Sequence, residues 1–247
     1  MNFLTKSVIM KKRQVTGVMK YEFLLLDADE TLFDFTRCER EALCDALREV
    51  GIEPNEELIA TYSRINDGYW KMLERGEIEK SELRIARFEA FCRHYGFTVD
   101  VPRLALGYTD ALSTKGFLIP GATEVCRKLS KHCKLYIVTN GIATVQRGRF
   151  EPSPLRELMQ DIFISEEIGA EKPHTAYFDA VAERIPGFDR KKALVVGDSL
   201  SSDMRGGLLA GIDTCWFNPK GKPKPTDMLI TYVIRTLEEL LPLVLGA

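Results

Sequence analysis

The sequence predicts an α/β protein, a doubly wound parallel sheet that carries an inserted bundle of helices. Three observations predict this fold. Short apolar runs alternate with helical patterns over the second half of the chain, and four helical patterns in succession follow the first apolar run. Polar residues also stand directly after the apolar runs, where such sheets bind their ligands. A chain of 247 residues is long enough for a core domain and a smaller insert.

The first apolar run, residues 22–27, predicts a buried parallel strand. Helices are then predicted at 36–50, 55–75, 81–95 and 101–115. A glycine follows each of them and is expected to close the helix in the left-handed conformation: Gly51, Gly76, Gly96 and Gly116. Asn55 and Ser81 are predicted N-caps, and Pro102 suits a first helical turn. Four helices with short connections indicate a helical bundle.

From residue 117 onward, strands are predicted to alternate with helices. The predicted strands are 134–141, which ends in polar residues, 161–165, 193–198 and 213–218, and the predicted helices are 122–132, 142–150, 174–184, 201–210 and a short one near the C-terminus. The core is therefore expected to comprise 20–34 and 117–247, with the bundle at 35–116. Residues 1–19 are expected to form a poorly ordered tail, with Met19 as an alternative start, so deleting 1–18 should leave folding and activity intact.

Composition limits the classes of function. The net charge is −2, and basic and acidic residues alternate, so no basic face for a nucleic-acid polymer is indicated. No apolar run is long enough to cross a membrane. Six cysteines occur without a C-x-x-C pair, and three histidines lie without metal-ligand spacing, which argues against a zinc or redox motif. We expect free thiols in a cytoplasmic protein that is a monomer or a homodimer.

Asp27 and Asp29 stand at the end of the first predicted strand. A carboxylate there can attack phosphorus and form an acyl phosphate, and a second one two residues on can act as acid and base. A solvated acidic turn is equally compatible with this motif taken alone. The sequence therefore needs support from the other strand ends before the pair can be assigned to a site.

Three further strand ends carry suitable groups. Thr139 and Asn140 offer a hydroxyl and backbone N–H groups to a phosphate, and Lys172 offers a positive charge to a phosphoryl group. Asp198 and Asp203 offer oxygen ligands to Mg²⁺. Taken singly, the Thr139-Asn140 pair is better explained as an N-cap and Lys172 as a surface residue, and helix capping explains Asp198 well. Together, after successive strands of one sheet, they indicate a phosphoryl-transfer site.

The stretches DADETLFDF, IVTNG, EKP and VVGDSLSSD resemble the four ordered motifs of the haloacid dehalogenase-like hydrolases. The resemblance extends over nearly the whole chain from Lys20. It implies a Rossmann-like core with strand order 5-4-1-2-3 and makes 35–116 a helical cap, the name used below for these residues. Within the superfamily the chain is most similar to pyrimidine 5′-nucleotidases, and the expected partner is a small phosphorylated metabolite.

The resemblance also implies a role for each strand-end residue, with Mg²⁺ as the cofactor. The implied roles are Asp27 as nucleophile and metal ligand, Asp29 as acid/base and metal ligand through its backbone carbonyl, Thr139, Asn140 and Lys172 as phosphate ligands, Asp198 as metal ligand, and Asp203 as outer-shell metal partner. The implied reaction is the hydrolysis of a nucleoside 5′-monophosphate through an aspartyl phosphate.

Other functions stay open. A sugar phosphate or phosphoglycolate could be the substrate instead. A 2-haloacid dehalogenase would need neither Asp29 nor the metal pair, and an inactive ligand-binding member would have lost a catalytic carboxylate. A phosphonate-cleaving enzyme would need a cap lysine, and the nearest candidates, Lys71 and Lys80, are expected to be solvated.

Cap residues should select the leaving group. Arg87 is the leading candidate, with Trp70 and Asn66 beside it. The alternative is that helically spaced aromatic residues of the cap, such as Phe88 and Trp70, form the core of the bundle.

Overall fold

The computed structural model describes residues 20–246, so the tail predicted over 1–19 lies outside the described residues. The strands are β1 (Phe23–Leu26), β2 (Lys134–Thr139), β3 (Asp161–Ile164), β4 (Ala193–Gly197), β5 (Asp213–Phe217) and β6 (Tyr232–Ile234). The α-helices are α1 (Phe35–Glu49), α2 (Glu56–Glu74), α3 (Lys80–Tyr95), α4 (Val101–Ser113), α5 (Ala122–Leu129), α6 (Ala143–Phe150), α7 (Ser165–Ile168), α8 (Thr175–Arg184), α9 (Arg205–Leu209) and α10 (Leu240–Leu245).

Within the described residues, six parallel strands lie in the order β3-β2-β1-β4-β5-β6. This confirms the predicted doubly wound sheet and its predicted order, read from the opposite edge. β1 is buried on both faces, as expected of a central parallel strand covered by helices. β6 was not predicted, because it is only three residues long and pairs with β5 alone at the edge of the sheet. So short a run carries too little hydrophobic periodicity to indicate a strand.

The first four helices lie between β1 and β2, each within two residues of its predicted bounds. Asn55 caps α2 as predicted by accepting a hydrogen bond from the Leu58 N–H. The predicted cap Ser81 is wrong: α3 begins at Lys80, and Glu79 and Glu82 form a reciprocal capping box there.

The glycine prediction holds for the first three cap helices. Gly51, Gly76 and Gly96 adopt positive φ. Gly116 does not, because α4 already ends at Ser113, with Thr114 as its C-cap in the right-handed region. The predicted left-handed closure by Gly116 is therefore wrong.

One apolar cluster fixes the cap to the core. The cap cluster is built around Tyr62, Phe88 and Tyr108, and it continues into Ile142 and Val145 of the core. The sheet has its own clusters on each face. Because the cap cluster crosses into α6, the cap covers the carboxyl ends of β1 and β2. Within residues 20–246, no helix has the length and apolar character needed to cross a membrane.

Candidate active site at the carboxyl ends of the strands

Asp27 follows the last residue of β1 and is 7 % exposed. Its Oδ1 accepts a hydrogen bond from the Lys172 ammonium at 2.7 Å, and its Oδ2 accepts one from the Thr31 hydroxyl at 3.3 Å. Burial and the nearby charge of Asp203 raise the pKa of Asp27, whereas the charge of Lys172 lowers it. The result is a fixed, desolvated carboxylate that faces the end of the sheet.

Lys172 joins three strand ends. Its ammonium donates to Asp27 Oδ1 at 2.7 Å, to Asp203 Oδ1 at 2.7 Å and to the Val138 carbonyl at 2.8 Å. Burial lowers the pKa of Lys172, but the charges of Asp203 and Asp27 outweigh burial and raise it overall. The lysine is therefore a permanent buried cation, as its predicted role requires.

Asp198 follows β4 and Asp203 lies in the helical turn after it, and both lie close to Asp27 at the end of β1. One carboxylate oxygen from each of the three residues lies within 4.8 Å of the others. Burial, followed by the charges of Asp27 and Asp203, raises the pKa of Asp198 to about 8. Gly197 makes room for this arrangement, because a Cβ there would lie 2.2 Å from Asp203 Oδ2.

This group of carboxylates fits a divalent cation. Among residues 20–246, Lys172 is the one cation that pairs with these three carboxylates, through Asp27 and Asp203, which leaves negative charge uncompensated in a buried site. The three carboxylate oxygens lie within 4.8 Å of one another, and carboxylate oxygens are the ligands that Mg²⁺ prefers in proteins.

Thr139 and Asn140 follow β2 in different roles. The Thr139 hydroxyl accepts a hydrogen bond from the Gly141 N–H at 3.0 Å, which leaves its own proton for a phosphoryl oxygen. The Asn140 side chain instead binds the backbone of Lys172, with its amide donating to the carbonyl at 2.8 Å and its oxygen accepting from the N–H at 2.9 Å. Asn140 would therefore meet phosphate through its backbone.

Asp29 is held by two side chains that the sequence did not reveal. Gln146 Nε2 donates to its Oδ2 at 2.7 Å, and Arg149, 1 % exposed, forms an ion pair with its Oδ1. Both partners lie on one face of α6, more than a hundred residues along the chain from Asp29. In the sequence, these two residues are marked by a spacing of three, which places them on one face of a helix. This spacing does not indicate which residue that face contacts.

A cavity of about 500 Å³ lies between these strand ends and the cap. It is the size of a typical small-molecule site. From the core it is lined by all the predicted strand-end residues, and from the cap by Glu39, Asn66 and Trp70, among others. Trp70 is half-buried and packs against the cap cluster as well, so both alternatives for this residue apply.

The structure corrects the prediction that Arg87 faces the leaving group. Arg87 is 1 % exposed, does not line the cavity, and lies over the rings of Phe88 and Tyr108. Its Nη1 donates to Asn66 Oδ1 at 2.8 Å, and Asn66 Nδ2 donates to Glu39 Oε1 at 2.7 Å. Arg87 therefore stands behind Asn66 and orients it.

Lys80 also departs from the prediction that it is solvated. Its side chain is 13 % exposed, and its ammonium donates to the Asn140 carbonyl at 2.8 Å and to the Ser165 hydroxyl at 2.7 Å. Arg84, one turn further along α3, forms an ion pair with Glu166 at 2.6 Å. These contacts join the cap to the loops of the core beside the phosphate-binding strand end.

Comparison with known proteins identifies the family that shares this architecture. Residues 21–211 match the family model of the haloacid dehalogenase-like hydrolases. The chain belongs to this family. HAD-hydrolase YfnB of Bacillus subtilis is 40 % identical over 90 % of this chain and 94 % of its own. A solved structure of YfnB bound to magnesium superposes with a TM-score of 0.87, covering 91 % of this chain and 99 % of that one.

Two further relatives are named for an activity. Pyrimidine 5′-nucleotidase PynA of Streptococcus pneumoniae is 37 % identical over 90 % of this chain and 94 % of its own. Pyrimidine 5′-nucleotidase YjjG of Escherichia coli is 31 % identical over 90 % of this chain and 97 % of its own. The family, these relatives and the site together identify the chain as an enzyme, a phosphomonoester hydrolase.

Proposed function

We propose that the chain hydrolyses nucleoside 5′-monophosphates, with a pyrimidine base preferred, through a phosphoryl group carried covalently on Asp27. The observation that carries the proposal is the contact between Asp27 and Lys172 at 2.7 Å, beside Asp198 and Asp203, in a cavity that the cap covers. The relatives named as pyrimidine 5′-nucleotidases support the choice of leaving group.

In the first step, an Asp27 oxygen attacks phosphorus and the bond from phosphorus to the nucleoside oxygen breaks. Lys172 and the Thr139 hydroxyl lie where they can bind the phosphoryl oxygens and neutralise charge in the transition state. Asp29 must first release Gln146 or Arg149 from one oxygen and take up a proton there from solvent. It then gives that proton to the departing oxygen.

In the second step, a water molecule attacks phosphorus, and Asp29 takes the proton of that water. The bond between phosphorus and the Asp27 oxygen breaks, so free phosphate leaves and the Asp27 carboxylate is restored. The cap contacts of Lys80 and Arg84 keep the cavity covered while this occurs, which limits access of bulk water.

Mg²⁺ would be held by the carboxylates of Asp27 and Asp198 and by the backbone carbonyl of Asp29, with Asp203 as an outer partner. When bound, it would supply positive charge to the phosphoryl oxygens. The magnesium-bound structure of YfnB supports this choice of metal. The uncompensated negative charge of the carboxylates supports it independently.

Two alternatives fit the site less well. A 2-haloacid dehalogenase has no use for an acid that protonates an alcohol or for a cluster of metal-binding carboxylates, yet both are present here. An inactive binding protein would lack one of the catalytic carboxylates, and Asp27, Asp29 and Asp198 all line the cavity. Phosphatases of sugar phosphates and of phosphoglycolate remain the second candidate class, because the cap alone distinguishes them.

A substrate screen tests the proposal. Purified protein with Mg²⁺ would be given UMP, dUMP, TMP, purine nucleotides, sugar phosphates, phosphoglycolate and an aryl phosphate, with a 2-haloacid as control. We expect phosphate release, highest kcat/KM with the pyrimidine nucleotides, and no halide release. Aryl phosphate turnover that Asp27→Asn leaves intact would contradict the mechanism, and equal kcat/KM for sugar phosphates would contradict the substrate.

The cellular location, the partner and the oligomeric state of the enzyme are also proposals. All six cysteines are free, which suits a reducing cytoplasm. We infer a small phosphorylated metabolite as its partner and no nucleic-acid polymer, since a covered cavity of this size holds a mononucleotide. A monomer or a homodimer is expected, and light scattering measures which.

A further inference from the structure

Glu39 is a carboxylate in an unexpected place. It lies on α1 among the buried residues Cys38, Ala42 and Leu43, and it is 5 % exposed, yet it lines the cavity beneath the cap. The steps proposed for phosphoryl transfer do not use it. A buried carboxylate costs free energy unless hydrogen bonds or charges compensate for it, so its position calls for a partner.

The hydrogen bonds of Asn66 define what Glu39 offers. A guanidinium can only donate, so the Asn66 group that contacts Arg87 at 2.8 Å must be its oxygen. The Asn66 amide nitrogen therefore faces Glu39, at 2.7 Å from its Oε1. Burial raises the pKa of Glu39, and the hydrogen bonds from Ser63 and Asn66 and the charge of Arg87 oppose that rise. Because its Oε1 accepts from the Asn66 amide, the Glu39 carboxyl group presents an acceptor at the cavity wall.

Asn66 places a hydrogen-bond donor beside the acceptor of Glu39. One amide hydrogen of Asn66 is used on Glu39, and the second is left for another acceptor. Both residues line the cavity, so an acceptor and a donor stand side by side on its cap wall. The matching ligand edge is a ring N–H next to a carbonyl, the imide edge of uracil and thymine.

We propose that Glu39, oriented through Asn66 and Arg87, accepts the ring N–H of the substrate base and thereby selects the leaving group. This inference rests on the proposed nucleotidase function and adds the residue that reads the base. Arg87 and Asn66 are positioning residues in it. Substrates without a ring N–H leave the buried acceptor unpaired, which is the condition under which enzymes discriminate most strongly.

The test compares UMP with its N3-methyl analogue, which lacks the ring N–H. In the wild type, kcat/KM should be about 10- to 100-fold higher for UMP, as expected for a hydrogen bond to a charged group. In Glu39→Gln, the Gln oxygen must accept from Asn66, so its amide hydrogens face the base. The amide N–H of the substituted side chain then faces the ring N–H of UMP, and no hydrogen bond forms. The ratio of kcat/KM for UMP to that for its N3-methyl analogue should therefore fall to within about threefold, mostly through KM.

A matched control lies on the same helix. Glu41→Gln makes the same chemical change outside the cavity, where Glu41 pairs with Arg37, and should keep the wild-type preference. Loss of the preference in Glu39→Gln alone supports the inference. A preference equally strong in Glu39→Gln would mean that the methyl group merely collides with the cap, and it would overturn the inference while the nucleotidase function stands.

The remaining outcomes are also decisive. Hydrolysis of an aryl phosphate with no turnover of any nucleotide overturns the proposed function, and the role of Glu39 with it. Should Glu39→Gln fail to fold, the wild-type comparison still decides, because equal kcat/KM for UMP and its N3-methyl analogue excludes recognition of the ring N–H.

Discussion

The substitution Asp198→Asn tests the charge balance of the site directly. The pKa of Asp198 is raised from 3.8 to about 8 by burial and by the charges of Asp27 and Asp203. Between these two values the folded state binds more protons than the unfolded state, so this residue lowers stability as pH rises through that window. Asparagine removes the effect, and we expect Asp198→Asn to be the more stable protein when metal is absent.

The size of the gain follows from the same values. At about pH 7.5 the full shift sets an upper bound of about 5 kcal/mol, and at about pH 5 an upper bound of about 1.6 kcal/mol. Asp198 keeps partial contact with solvent, and denatured chains retain some structure, so both bounds must be reduced. We expect a gain of about 1–3 kcal/mol at the higher pH and less than about 1 kcal/mol at the lower.

Urea unfolding in EDTA at both pH values measures the gain. Adding Mg²⁺ should then stabilise the wild type, by about 2.7 kcal/mol at a hundredfold excess over Kd, and stabilise Asp198→Asn much less. Asp67→Asn is the matched control, because Asp67 is exposed at the rim of the same cavity and pairs with Lys71. A variant less stable than the wild type in EDTA, or a gain equal at both pH values, would refute the reasoning.

Three further substitutions probe the supports of the site. Gly197→Ala puts a Cβ 2.2 Å from the Asp203 carboxylate, so kcat/KM for an aryl phosphate should fall by about 100-fold or more. Arg149→Met removes the ion-pair partner of Asp29, and we expect kcat to fall about 10-fold or more while the inhibition constant of phosphate changes little. Lys80→Met removes the contacts between cap and core, so KM should rise about 3- to 10-fold with a smaller change in kcat. An unchanged steady-state constant in any of these assays would count against the corresponding contact.

The fold was predictable because its signals are local. The continuous apolar run of β1 and the helix-closing Gly51 depend on neighbouring residues alone, and the structure reproduces both. The strand ends were also visible, since parallel strands bring their carboxyl ends to one edge of the sheet. Local signals missed only short elements, such as β6. Its three residues form a strand because they pair with β5.

The site was predictable only where the backbone itself places a residue. Asp27 and Lys172 meet because strand ends meet, whereas Asp29 finds Gln146 and Arg149 through side chains on a distant helix. Arg87 was assigned to the leaving group on residue type, but packing against aromatic rings buries it.

Glu39 carried a local signal that could have revealed it. It occupies a position on the apolar stripe of α1, three and four residues before Ala42 and Leu43. A charged residue on such a stripe is unusual and points to a buried polar contact. The identity of its partner, Asn66 on another helix, could not follow from periodicity.

Chemical trapping of Asp27 is the most direct test of the central claim. The wild type would be mixed with UMP and Mg²⁺, quenched within one turnover and reduced with borohydride, which converts an aspartyl phosphate to homoserine. Peptide mass spectrometry should find homoserine at position 27, and none in unreacted protein or in protein given uridine. Homoserine at another position, or rapid turnover with no modified residue at all, would contradict the account.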